Sequence, residues 1–235
     1  CDTGQEAVPD LVNIYDGNLE AIKKAKHIEF LSDGTVQNEF FIASTLHFLS
    51  AEQFDLSRCR VKRLYHPNSA FGLDIMSVDE MQSFLHNVKT AEIETETYIS
   101  AFKEIAGGTP ACLHRFLQDM PNSSPLAIAC FAYLRRFAEY SAGIGSIDRA
   151  LLAGGTINFE NSARTVGMAM APYAYGEQAL DLIGDYFLFR RLVELSEVLN
   201  PWFELVGDTS EMRLCKARLT TLGQATRREY NIEPL

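Results

Sequence analysis

"SVDE", residues 77–80, is the stretch from which the fold is read. A Ser followed three positions later by a Glu is a capping box. Each side chain accepts from the other residue's free backbone amide, and a helix starts. The same punctuation recurs toward the C-terminus. The helix opened at Ser77 is predicted to run to Ala106, with an interruption near Lys89-Thr90, and Gly107-Gly108 stops it. Thr109-Pro110 and Ser124-Pro125 each place Pro at a first helical position; the second of these helices is expected to reach about Ala142. Ser146 caps 147–153, which Gly154-Gly155 ends. Asn158 opens a long apolar segment that Pro172 kinks or ends. Further helices are expected over 174–199, as a short turn from Asn200-Pro201, and from Ser210 to about Arg228. "AGGT" occurs at 106–109 and 153–156, each time read as a stop followed by a cap. The flanks do not match, so the recurrence reflects stop-and-start chemistry rather than a repeat.

Toward the N-terminus the pattern is mixed. "LVNIY" (11–15) reads as a short strand, and a helix over 19–31 is capped by Asn18 and closed by Gly34. A second helix is expected from about 36 to 49. "CRVKRLY" (59–65) alternates polar and apolar, which predicts a strand or extended arm with basic residues on one face. The expected fold class is mainly α, a globule of about eight to ten helices. It carries a short extended or β segment in its first 75 residues, and terminal arms. The punctuation divides the chain into 1–76 and 77–235 within one structural domain.

Composition bounds the function. Of 235 residues, 47% are hydrophobic and 22% charged, the balance of a globular protein with no need of metal or disulfide to fold. The net charge of −10 repels DNA and anionic lipid at long range, so any grip on nucleic acid must come from a local basic groove. No apolar run approaches the length of a membrane span. The five cysteines (Cys1, Cys59, Cys112, Cys130, Cys215) are odd in number and form no C-x-x-C. They are read as small buried thiols with no intrachain disulfide, favouring a reducing compartment such as cytoplasm or organelle interior. A start at Cys1 fits removal of a leader or a longer parent sequence; a lipid-anchored Cys1 is the lesser reading.

Candidate chemistry begins with "GEQALDLIGDYFLFRR" (176–191), where Glu177, Asp181 and Asp185 recur every four residues. On one helix they would share a sector of about 80°. A divalent-metal site is one reading of such a row. No acid lies three residues before any His, however, and the nearest candidate for a second acidic row, Glu92, Glu94 and Glu96, diverges on a helix. The row is therefore expected to be the partly exposed edge of a packed helix, without metal, and no cofactor is expected. His86 and His114 lie on amphipathic segments and read as partly buried structural residues rather than metal or haem ligands. "GIGSIDRALLAGG" (143–155) lacks the strand and Lys of a phosphate loop. No catalytic signature is present.

Arg58, Arg60, Lys62 and Arg63 cluster in one segment, and Arg135-Arg136 and Arg190-Arg191 are pairs. Gathered in one groove they would bind nucleic acid; dispersed, they pair with the acids. "APYAYGEQ" (171–178) presents Tyr173 and Tyr175 at a helix break, which suits packing against another chain. Val8, Leu11, Ile232 and Leu235 are the sizeable aliphatics of two polar arms, and a neighbouring subunit is expected to pin them. The function expected is that of a non-enzymatic structural or scaffold subunit of a larger assembly, a homo-oligomer or multi-protein complex. A viral coat or nucleocapsid-type subunit is its concrete form, with nucleic acid as a candidate partner. The alternative is a helical enzyme or cofactor-carrying protein with its site between the 78–106 and 174–199 helices.

Overall fold

The computed structural model describes residues 21–63, 77–171, 181 and 183–235. Val8, Leu11, Tyr173, Tyr175 and Glu177 lie outside the described residues.

The first unit is built on a parallel β–α–β crossover. Strand β1 (Ile28–Ser32) pairs in parallel with β2 (Cys59–Arg63), from Ile28 opposite Cys59 to Ser32 opposite Arg63. Helix α1 (Val36–Ala51) connects them, opened by Thr35, whose side chain accepts from the Asn38 amide. Val36, Glu39, Ile42, Leu46 and Leu49 recur at helical spacing and are buried. The helix expected over 19–31 is thereby corrected: residues 21–24 are helical, and from Ile28 the chain is a strand. "IEFLS" has no strong strand preference, but partner strand β2 and a buried Phe30 decide its conformation. The expected interruption near Lys89-Thr90 is a strand. Helix α2 (Val78–Asn87) ends there, and β3 (Thr90–Glu92) adds antiparallel to β2 before α3 (Thr95–Gly107). Thr109 caps α4 (Pro110–Leu117), and Pro125 starts α5 (Pro125–Leu134), which stops well short of Ala142. Helices α1, α3, α4 and α5 close over the sheet around Phe30, Ile42, Leu46, Leu113 and Leu126.

A second unit follows. Helix α6 (Ser146–Gly154) ends at Gly155 as the punctuation predicts, but Thr156 caps nothing; Asn161 opens α7 (Ser162–Ala169) after the two-residue strand β4 (Glu160–Asn161). Helix α8 spans Asp185–Glu197. The two helices expected from Asn200 and Ser210 are instead a β-hairpin, β5 (Phe203–Gly207) and β6 (Cys215–Leu219), before α9 (Thr221–Glu229). In β6, Cys215, Ala217 and Leu219 face inward and Lys216 and Arg218 outward, a strand's period of two. Gly207 is required in the hairpin: its φ is +105°, and a Cβ would stand 2.4 Å from the Leu214 carbonyl oxygen. Leu151, Val166, Leu188, Leu192, Phe203 and Leu219 form this unit's core.

Helices dominate the described residues, with some strands in each unit. The apolar clusters separate between Tyr140 and Ile144. Helix α1 lies against α3 and α5. The C-terminal tail is not a free arm. Asn231 takes a left-handed conformation (φ 49°) and turns the tail back, a shape that Asn tolerates. Ile232 becomes buried in the second core, Leu235 packs against it, and the Leu235 amide donates to the Ala153 carbonyl at 3.0 Å. Ile232 and Leu235 are therefore anchored on their own chain, which corrects the expectation that a neighbouring subunit pins them.

Candidate functional site

Three polar or exposed clusters are assembled by the fold. The first lies at the carboxyl ends of β1 and β2, where parallel α/β units generally bind ligands. Ser32 and Arg63 end the two strands, Glu39 stands in the first turn of α1, and Tyr98 comes from α3. The Glu39 side chain is wholly buried. One of its oxygens accepts from Ser32 and Arg63, the other from the Tyr98 hydroxyl, and Arg63 also donates to Tyr98. Burial, then the Glu39 charge beside it, holds the Tyr98 phenol well above its ordinary value. Burial also works against the Arg63 charge, but Glu39 and Tyr98 outweigh it and hold the guanidinium more firmly protonated. Every oxygen here has a partner. The cluster ties β1, β2, α1 and α3 together and leaves no group poised as a nucleophile or base.

The second cluster joins the two units. Arg136 donates to both oxygens of Asp181, at 2.7 and 2.6 Å, and Gln37 donates to the same carboxylate at 3.4 Å. Asp181 is 4% exposed. The expectation that Asp181 and Asp185 share the wet edge of one helix is corrected. Ile183 and Gly184 are not helical, Gly184 is the N-cap of α8, and Asp185 is the helix's exposed first residue. Asp181 is consumed by a guanidinium 45 residues away in sequence. Among the described residues no group of three His, Cys, Asp or Glu side chains could hold a metal ion.

Of the eight cations read as a nucleic-acid grip, six are engaged by side chains of the same chain. Arg58 lies 4.5 Å over the Phe54 ring, Arg60 faces Glu92 at 3.7 Å, and Lys62 pairs with Glu29 at 3.0 Å. Arg63 and Arg136 are held as described, and Arg191 binds Asp148 at 2.7 Å and Glu194 at 3.0 Å. Arg135 and Arg190 are exposed and make no ion pair among the described residues.

The third cluster is the outer stripe of α8. The elements of the second unit run α6–β4–α7–α8–β5–β6, with the strands side by side as β4-β6-β5. Helix α8 buries one side and exposes the other. Here its outer stripe reads Tyr186, Phe187, Arg190, Glu194 and Glu197, all exposed, and it continues into exposed Val198 and Leu199. The rings of Tyr186 and Phe187 are 67% and 69% exposed and pack edge-to-face at 5.9 Å; Leu199 is 95% exposed. The opposite side of the helix, Leu188, Phe189, Leu192, Val193 and Leu195, is core. The hairpin turn beside it carries acids, Asp208 and Glu211. Hydrogen bonds from the Ser210 hydroxyl and amide hold Asp208 below the usual carboxylate range.

In the sequence only Arg190 of this stripe stands out as a candidate contact; Tyr186, Phe187, Val198 and Leu199 do not. The signal was available: with Gly184 as N-cap, exposed positions fall at 186, 187, 190, 194 and 197 and buried ones between them, a helix period. Starting the helix at 174 obscured it. No protein family, no curated protein and no solved structure matches the chain.

Proposed function

We propose that this protein is a non-enzymatic subunit of a homo-oligomeric assembly and that the outer stripe of α8 is its contact. One observation carries the reading: the stripe is complementary to itself. Two copies of α8 crossing antiparallel about the level of Leu192 set each Arg190 opposite the other copy's Glu194. The same crossing sets each Tyr186–Phe187 pair on the other copy's Glu197–Leu199 end, because 186 and 198, 187 and 197, and 190 and 194 are equidistant from the crossing. A two-fold contact uses the same patch twice in this way. It would cover exposed aromatic rings, which anchor interfaces, and give Arg190 an acid partner. The coat or nucleocapsid form of the expectation is not carried forward, since six of its eight cations are engaged within the chain. The catalytic alternative finds its nearest counterpart in the Glu39 and Asp181 clusters, whose polar atoms are saturated.

The test is sedimentation of the intact chain and of the Tyr186→Ser/Phe187→Ser variant. Loss of two anchors should weaken self-association by roughly a thousandfold or more, since each anchor contributes about 2 kcal/mol or more. Because both side chains are solvent-facing, the variant should keep its native circular dichroism. A wild-type chain that is monomeric at all concentrations, or a variant with an unchanged oligomer distribution, contradicts the proposal.

A further inference from the structure

A separate cleft of about 480 Å³ opens in the first unit, lined by His114, Phe131, Leu134, Arg135, Glu139 and Tyr140. Neither the α8 stripe nor the two saturated clusters use it. His114 comes from α4, Phe131 to Arg135 from the end of α5, and Glu139 and Tyr140 from the short helical turn Ala138–Tyr140. The His114 and Tyr140 rings lie 5.0 Å apart at 36°, a tilted stack, and both residues line the cleft. Arg135 lines the cleft, is exposed, and makes no ion pair among the described residues, whereas its neighbour Arg136 is spent on Asp181. The carbonyl of Arg135 is satisfied by the Ser146 amide at 2.8 Å, so its guanidinium is what the residue offers to a ligand.

From this set we infer that the cleft binds a planar aromatic ligand carrying an anionic group, of the size and makeup of a purine nucleoside monophosphate. Each feature answers one part of such a molecule. Aromatic walls accept a base by stacking, as in proteins that hold unpaired bases. The Glu139 carboxylate accepts from in-plane N–H donors of the base edge. The Arg135 fork meets a phosphate with two parallel hydrogen bonds. The volume lies within the range of small-molecule sites. The net charge of −10 disfavours a strand of many phosphates far more than a single nucleotide, which favours the free nucleotide over a polymer.

The experiment is a titration of the full chain with GMP, with guanosine and with an oligonucleotide of guanosine-containing sequence, followed by NMR of the imidazole C–H signals. The His114 signal is assigned by its loss in His114→Gln. GMP should shift that signal saturably, and added salt should weaken it because Arg135 is solvent-exposed. Tyr140→Leu should weaken GMP about tenfold or more by loss of stacking. Arg135→Gln should weaken GMP about tenfold while leaving guanosine unchanged, because only the phosphate meets the guanidinium. The inference is overturned if GMP at about 10 mM, a concentration matching even very weak binding, leaves the His114 signal unmoved. It is equally overturned if Arg135→Gln weakens guanosine and GMP alike, or if only the oligonucleotide binds.

Discussion

Glu39→Gln should be among the most damaging conservative substitutions in the chain. The change keeps the shape of the side chain and removes its charge. Three donors, from Ser32, Arg63 and Tyr98, now converge on the two oxygens of a side chain with no water contact. An amide presents one oxygen and a nitrogen that carries two hydrogens of its own, so at least one donor loses its acceptor and meets another donor. Arg63 also loses its counter-ion while mostly enclosed; its side chain is 26% exposed. Breaking a buried ion pair from one side costs about 3–5 kcal/mol. The partial exposure of Arg63 lets water recover some of this and places the cost near the lower end, at about 3 kcal/mol. Urea unfolding followed by far-ultraviolet circular dichroism measures it, and the midpoint should fall by about 1 M or more. The same curve followed by the fluorescence of Trp202, which packs on the second core, reports whether the two units unfold together. Replacing both partners, as Glu39→Leu with Arg63→Met, should restore much of the loss, because no charge is then left buried alone. A Glu39→Gln midpoint within about 0.2 M of wild type, equivalent to well under 1 kcal/mol, would refute the burial and pairing on which this reasoning rests.

Two further outcomes follow from the same chemistry. The Tyr98 phenol is held above its ordinary value of 10.0, so above about pH 10 the unfolded chain releases a proton that the folded chain retains. Its contribution to stability is complete below that pH and is lost as pH rises toward the folded value; stability curves of Tyr98→Phe against wild type should show a shallower alkaline decline in the variant. Among Cys59, Cys112, Cys130 and Cys215, all free thiols, Cys112 should be alkylated first in the native protein, as read by peptide mass spectrometry. The Thr109 hydroxyl lowers its thiol, whereas burial raises Cys59 and Cys215 and pushes Cys130 up to about 12.

The parts of the fold legible in the sequence are those written in local chemistry. Gly107-Gly108 and Gly154-Gly155 stop helices, Thr109-Pro110 starts one, and the alternation of Cys59 to Arg63 is a strand. What was not legible depends on distant partners. Strand β1 resembles a helix until β2 lies beside it. The alternation of Cys215 to Leu219 is local, but β5 shows none, so no hairpin was signalled. Asp181 reads as one of a carboxylate row because nothing near it in sequence announces Arg136. Ser32, Glu39 and Tyr98 carry no motif; only the crossover brings them to Arg63. The polar arm at 229–235 is ordered by the single left-handed turn at Asn231 and the apolar surface of the second core.

Pairing of α8 with α8 makes the oligomeric state depend on the charges at positions 190 and 194, and exchanging them separates pairing from non-pairing. Sedimentation equilibrium of Arg190→Glu, of Glu194→Arg, and of the two combined requires only the purified chain. Arg190→Glu sets like charges against each other twice across the two-fold contact and should shift the protein to monomer. Glu194→Arg should do the same, while also removing the intrachain bond to Arg191. The combined variant restores opposite charges at both positions and should return to the wild-type oligomer. Single variants that associate as wild type does, or a combined variant that stays monomeric while folded, would contradict the claim.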